Sequence, residues 1–140
     1  MKISKQDIKI FLLCFFGFII LCFVIYYSQQ KKYESLIKDG RYTLGIGEKI
    51  SQDRTGWTFI YNYKVNNKVY EGRNSATGIR EEFAVGGIYF VVFDPNKPRK
   101  NFLIKYPPVP AEMNFDSIPL EGWSELPVPV HKDSIRNFLD

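Results

Sequence analysis

Three hydrophobic patterns follow one another along this chain, and each predicts a different kind of element. From Ile10 to Ser28 the sequence runs nineteen residues without a charge, IFLLCFFGFIILCFVIYYS. As an α-helix rising about 1.5 Å per residue, this stretch is about 28 Å long, close to the hydrocarbon thickness of a bilayer. Tyr26 and Tyr27 stand at its end, where interfacial aromatics usually sit. Beyond it Tyr33, Leu36 and Ile37 fall at helical spacing, and Glu34 and Lys38 make a favourable i,i+4 pair. Gly40 after Asp39 can close a helix in the left-handed conformation. One helix is therefore expected from about Gln6 to Asp39.

After Gly40 the period changes to two. Tyr42, Leu44, Ile46 and Ile50 alternate, with Glu48 as the exception, and predict a first strand. Ser51 to Gly56 is a polar loop. Then WTFIYNYKV puts Trp57, Phe59, Tyr61, Tyr63 and Val65 on one face, the clearest strand in the chain. Asn66-Asn67 is suited to a two-residue turn with positive φ. Pairing across it sets Val65 opposite Lys68, Tyr63 opposite Tyr70 and Tyr61 opposite Gly72, so a Tyr61 ring can lie over the space the glycine leaves. Ile60 and Val69 project from the other face, which is partly covered or is the outside of a barrel.

Residues 74–87 read as a loop, with a short strand around Ile79 to Phe83 and a turn at Gly86-Gly87. IYFVVF is continuously apolar, as in a strand covered on both faces. Asp94-Pro95-Asn96-Lys97-Pro98 interrupts it, and residues 101–106 form the last strand. The prolines after Tyr106 exclude regular pairing, so the rest is extended. It carries Met113, Phe115, Trp123 and Leu126, which favours wrapping over the β-domain rather than a free tether. A short terminal helix is expected where Ile135, Phe138 and Leu139 share a face.

The expected fold class is α+β: one N-terminal transmembrane helix, then a small, mostly antiparallel β-barrel or sandwich, then an extended Pro-rich tail. The divisions are a basic tail (1–9), the transmembrane helix (10–28), a helical stem (29–40), the β-domain (41–106) and a Pro-rich acidic tail with a short terminal helix (107–140). Outside the apolar run roughly 110 residues remain, enough for one modest core.

Other readings of the apolar run fit less well. A cleaved signal has a shorter apolar region ending in small residues, whereas this run ends in Val24, Ile25, Tyr26, Tyr27 and Ser28. A lipoprotein needs a small residue before the cysteine, but leucine precedes both Cys14 and Cys22. A buried core helix would demand more cover than so small a domain can supply. Both cysteines lie within the run, where a thiol behaves as a small hydrophobe.

The net charge of +4 is unevenly spread. The stretch from Lys31 to Lys105 is basic and the stretch from Tyr106 to Asp140 acidic. Anionic head groups would attract the former, and the latter could fold back on it. Scattered surface charge explains the same numbers equally well.

No catalytic, cofactor-binding or metal-binding residue is assigned. The lone histidine, His131, lies in the Pro-rich tail away from any nucleophile, and zinc needs several Cys or His ligands. Glu81 and Glu82 are adjacent, so on a strand they face opposite sides. Gly45-Ile46-Gly47 does not open a helix and makes no phosphate cradle, and Gly86-Gly87 is simply a turn. An aromatic β-face could stack nucleic-acid bases. The strict alternation of Trp57, Phe59, Tyr61 and Tyr63 favours a core instead, so no nucleic-acid partner is expected.

The stretches YNYKVNNKVYEG (61–72) and VGGIYFVVFDPNKP (85–98) resemble a bacterial family of small membrane-anchored β-domains of unknown function. Tyr61, Tyr63, Val65, Tyr70 and Gly72 match the first half of its pattern. Val85, Gly86, Val92, Asp94, Pro95 and Pro98 match the second, with a one-residue shift at the valine. The likeness covers residues 41–105 and omits the tail, and many members carry two membrane helices where this chain has one. It implies a small β-domain on a membrane stalk and no reaction.

The expected function is that of a non-enzymatic, single-pass membrane module that binds another protein or supports a membrane complex. The residues to test first are Trp123 and Phe115 in the tail and Arg54, Arg99 and Lys100 in basic loops, although packing or solvation explains each one singly. An anchored immunity protein against a toxin, or a hydrolase using carboxylates alone, are the alternatives. The expected location is the bacterial inner membrane with the domain outside, because a short lysine-bearing tail before an apolar segment resembles a signal anchor. The expected partners are the lipid bilayer and another protein.

Overall fold

The computed structural model describes residues 5–78 and 82–135. The elements are α1 (Lys5–Asp39), β1 (Arg41–Asp53), β2 (Gly56–Val65), β3 (Lys68–Ser75), β4 (Ile88–Asp94), β5 (Lys97–Ile104), a 3-10 turn (Phe115–Ser117) and α2 (Lys132–Ile135). They form two compact units, one ending at Glu34 and the other beginning at Ser35.

The first unit is helical, and its residues from Gln6 to Gln29 are exposed. Phe11, Leu13 and Phe23 are 71%, 77% and 72% exposed. The helix is long and apolar enough to cross a membrane.

The second unit is an antiparallel sheet in the order β3-β2-β1-β4-β5. It curls until its two edges, β3 and β5, touch, which makes a nearly closed barrel. The α+β class and the barrel therefore hold.

The inner face is aromatic. Phe59, Tyr61, Tyr63, Val65, Ala76, Phe83, Val91, Phe93 and Leu103 form one buried cluster, with Ile50, Trp57, Tyr70 and Tyr89 packed around it. Burying each large side chain contributes about 1.5–3 kcal/mol. The Asn66-Asn67 turn has φ of 49° and 63°, as a type I′ turn needs. The register is the expected one: Val65 opposite Lys68, Tyr63 opposite Tyr70, Tyr61 opposite Gly72. A side chain at Gly72 would overlap the Tyr61 ring.

β1 departs from simple alternation. Gly45 stands opposite Tyr63, and Gly47 opposite Tyr61, so glycines, not Leu44 and Ile46, share the inner face with the tyrosines. They leave room for those rings, and a side chain at Gly47 would strike Phe59 and the Ala84 carbonyl. Between Gly47 and Lys49 the register slips by a bulge at Glu48, which returns Ile50 to the inner face opposite Phe59. Tyr42, Leu44 and Ile46 therefore lie on the outer face, where Ile46 is 42% exposed.

Tyr42, Leu44, Phe90, Val92 and Ile104 also point outward, yet all are buried. Two segments supply the cover. Gly40 sits against Val92, and Trp123 pairs with Tyr42 through two backbone hydrogen bonds, Tyr42 N to Trp123 O at 2.9 Å and Trp123 N to Tyr42 O at 2.8 Å. β4 is accordingly covered on both faces, with Phe90 to Phe93 wholly buried.

Other expectations change in detail. Gly40 ends the helix, but through close approach to the Leu36 carbonyl and Val92 rather than through a left-handed φ. β5 begins at Lys97, not residue 101, because Pro95-Asn96 make a tight turn and Pro98 is tolerated on an edge strand. Glu82 and Phe83 are not in a strand, and residues 79–81 of the short strand expected there lie outside the described residues. Of the terminal helix, Ile135 is buried in α2, whereas Phe138 and Leu139 lie outside the described residues.

Candidate interaction surface

The barrel interior is filled by side chains and its polar groups are spent on closing the seam. β2 tyrosines reach beneath β3 to β5. Tyr61 Oη donates to Asn101 Oδ1 at 2.6 Å, and Tyr63 Oη donates to the Pro98 carbonyl. Side-chain hydroxyls of β2 thus reach the edge strand β5, with which β2 shares no ladder in the sheet order. Burial, with each phenol's tyrosine neighbour, pushes both hydroxyls above their ordinary value of 10.0. They stay neutral donors across the physiological range and are poor bases. The stacking face considered for nucleic acid is this same interior, with Phe59, Tyr61 and Tyr63 buried.

The tail forms a strap over one end of the barrel. Besides the Tyr42–Trp123 pair, Asn66 N donates to the Leu120 carbonyl at 2.7 Å. Arg41 bonds Glu121 Oε2 at 3.1 Å and the Gly122 carbonyl at 3.3 Å. Beneath the strap Tyr42 Oη is buried and, among the described residues, has no hydrogen-bond partner. Desolvation, then the Glu125 charge, raises its pKa.

Between strap and sheet lies a groove of about 190 Å³. Leu44, Phe115, Ile118 and Leu120 give it an apolar wall, and Lys64 and Asp116 a charged rim. Phe115 is 40% exposed at the start of the 3-10 turn. Asn114 caps that turn, its Oδ1 accepting from Ser117 N at 3.0 Å. This arrangement offers a small apolar contact with polar edges, the composition of a modest protein-binding spot.

The residues singled out from sequence do not come together. Phe115 lines the groove, while Trp123 is half-buried and its backbone fastens the strap. Arg54 lies in the β1–β2 turn, at the far end from Arg99 and Lys100. Lys100 Nζ lies 3.3 Å from Ser35 Oγ and 3.9 Å from Asp94 Oδ2. Arg99 is exposed and shares a groove of about 410 Å³ at the β3–β5 seam with Lys68, Val69, Tyr70 and Glu71. His131 is exposed beside Val130 and Ile135. Glu82 pairs with Lys105 at 2.7 Å. Among the described residues, no three His, Cys, Asp or Glu side chains gather as a metal site.

Sequence reasoning missed the strap contacts of Leu120 and Glu121. A leucine and a glutamate between Pro119 and Trp123 carry no local signal, since the partners Asn66 and Arg41 are distant in the chain.

The chain matches no protein-family model, no curated protein and no solved structure.

Proposed function

We propose that this protein is a single-pass membrane-anchored, non-enzymatic β-domain that binds another protein or supports a membrane complex. The observation that carries the reading is the contrast between α1 and the barrel. The apolar run Ile10 to Ser28 of α1, exposed throughout, needs a non-aqueous solvent, and a bilayer matches its length. The domain it carries spends the Tyr61 and Tyr63 hydroxyls on structure. The likeness to the bacterial family of membrane-anchored β-domains, which we propose includes this chain, supports the same reading. Its matched residues Tyr61, Tyr63, Val65 and Gly72 are the inner face of this barrel, and Asp94 and Pro95 belong to its tight turn.

The flanking positive charges are equal on the two sides of the apolar run. The likeness of the lysine-bearing segment before it to a signal anchor supports an orientation with the domain outside the bacterial inner membrane. Protease added to spheroplasts with an intact inner membrane should then cleave the domain, and cleavage only after that membrane is permeabilised would reverse the orientation. For the partner, crosslinking in intact membranes followed by purification should yield a heteromeric adduct. A Phe115→Ala variant should lower its yield. Recovery of monomer alone would count against a protein-binding role.

A further inference from the structure

The strand register gathers a particular set of residues at one end of the barrel. Arg41, where the chain enters β1, lies opposite Phe93 and therefore beside the Asp94–Lys97 turn. The Val65–Lys68 turn closes at the same end, because Gly45 pairs with Tyr63. The Asp53–Gly56 turn lies at the opposite end. So the chain arrives from the apolar helix at the end that carries the Asn66-Asn67 and Pro95-Asn96 turns.

The tether to that end is short. Ser28 closes the apolar run, and helical chain from there to Asp39 rises only about 16 Å. Lys100, on β5, is hydrogen-bonded to Ser35, which follows Ser28 by about 10 Å of helix. The short chain from Ser28 to Arg41 limits how far this end of the barrel can stand from the lipid.

The charges at this end are not balanced. Asp94 is used internally: its Oδ1 accepts from Asn96 N at 2.9 Å and Lys97 N at 3.3 Å, and its Oδ2 faces Lys100. Glu121 is paired with Arg41. Lys64 and Asp116 line one groove, and Lys38 is next to Asp39. Glu125 stands near Tyr42 under the strap, and Glu71, which shares the seam groove with Lys68 and Arg99, is paired with Arg73 at 2.8 Å. Lys68, Lys97 and Arg99 remain, all exposed and, among the described residues, in no ion pair. Tyr63 holds the Pro98 carbonyl between two of them.

We propose that this end of the barrel rests on the membrane through Lys68, Lys97 and Arg99, which bind anionic lipid phosphates. The proposal builds on the membrane-anchored reading. Each cation near an anionic surface strengthens attachment by about fivefold, and the effect fades within a Debye length of about 10 Å at 0.1 M salt. Three cations on adjoining turns, on a short tether, meet both requirements. The anchor supplies proximity, and the cations fix which end of the barrel faces the lipid.

The test uses the full chain in nanodiscs, either wholly phosphatidylcholine or with about 30 mol % phosphatidylglycerol, with amide hydrogen exchange as readout. Exchange at the Val65–Lys68 and Asp94–Lys97 turns should slow about tenfold in the anionic discs and recover in high salt. The Asp53–Gly56 turn should exchange alike in both. The variant K68E/K97E/R99E should lose the protection, and K49E/R54E/R73E, an equal charge reversal toward the other end, should keep it. Equal exchange of the two turns in both lipids, or loss of protection in both variants alike, overturns the proposal. A chain that fails to enter the discs at all overturns the anchored reading as well.

Discussion

The apolar segment of α1 and the strands β2 and β4 draw on similar residues, yet meet opposite fates. Phe15, Phe16 and Phe18 are exposed, while Phe59, Phe90 and Phe93 are buried completely. β2 succeeds because its alternating pattern gives each inward aromatic a partner, and β4 because both of its faces are covered. Phe59 stacks on Phe83 with centroids 4.6 Å apart, and Tyr63 on Tyr70 at 5.8 Å. The helix has apolar residues all round and therefore no side that water tolerates. Hydrophobicity fills the barrel from within, and in the helix it calls for a second solvent.

The strongest way to break that contrast is to put charge in the helix. Phe18→Arg should cost about 2.5–3.5 kcal/mol of membrane insertion at mid-span. Adding Ile20→Arg should move most of the chain out of the membrane fraction, as read by fractionation and immunoblotting. The barrel core should be indifferent to either change.

Two glycines sharpen the contrast. A side chain at Gly17 meets nothing within 4 Å, whereas one at Gly72 overlaps the Tyr61 ring. Gly72→Ala should destabilise the barrel by about 1–3 kcal/mol, and Gly17→Ala should leave its thermal melt unchanged. Near-ultraviolet circular dichroism of the detergent-solubilised chain reports both, since the barrel is rich in tyrosine.

Alkaline pH should loosen the barrel and spare the helix. The Tyr61 and Tyr63 phenols are raised above 10.0 in the folded state, so the unfolded chain gives up these protons first. The stability they contribute is complete below about pH 10 and falls as pH rises beyond it. Tyr61→Phe should flatten that decline and, by leaving Asn101 Oδ1 without its donor, cost about 1–3 kcal/mol at neutral pH. Melting curves between pH 8 and pH 12 would show both effects.

The smallest effect is at the β1–β2 turn. Asp53 Oδ1 accepts from Thr55 N at 2.7 Å and Thr55 Oγ1 at 2.5 Å, which lowers its pKa below 3.8. The turn is supported above that value and loses the support as pH falls through the folded pKa. Exchange of the Thr55 amide should accelerate there in the parent chain and be independent of pH-linked loosening in Asp53→Asn.

Legibility in the sequence followed the range of the forces involved. The helix, the β2 face, the Asn66-Asn67 turn and the Tyr61–Gly72 contact follow from local period and turn chemistry, and they could be read directly. The face of β1 could not, because the bulge at Glu48 reverses the alternation and the glycines matter only once the tyrosines of β2 are in place. Glu48, the residue that broke the pattern, was the visible trace of it. β5 reads as shorter in the sequence because Pro98, Arg99 and Lys100 look like loop, yet an edge strand tolerates them. The strap follows from the first residues of β1, which pair with β4 but not with β2, and tertiary structure alone reveals this. Of the candidate surface, Phe115 was legible as an exposed aromatic in the tail, and Trp123 proved to be a fastening for the strap.

Extraction of cell membranes with alkaline carbonate tests the central claim most directly. The full chain should stay in the pellet after the wash and dissolve only in detergent. A chain released intact into the carbonate supernatant would contradict the account, because the exposed apolar face of α1 would then need some cover other than lipid.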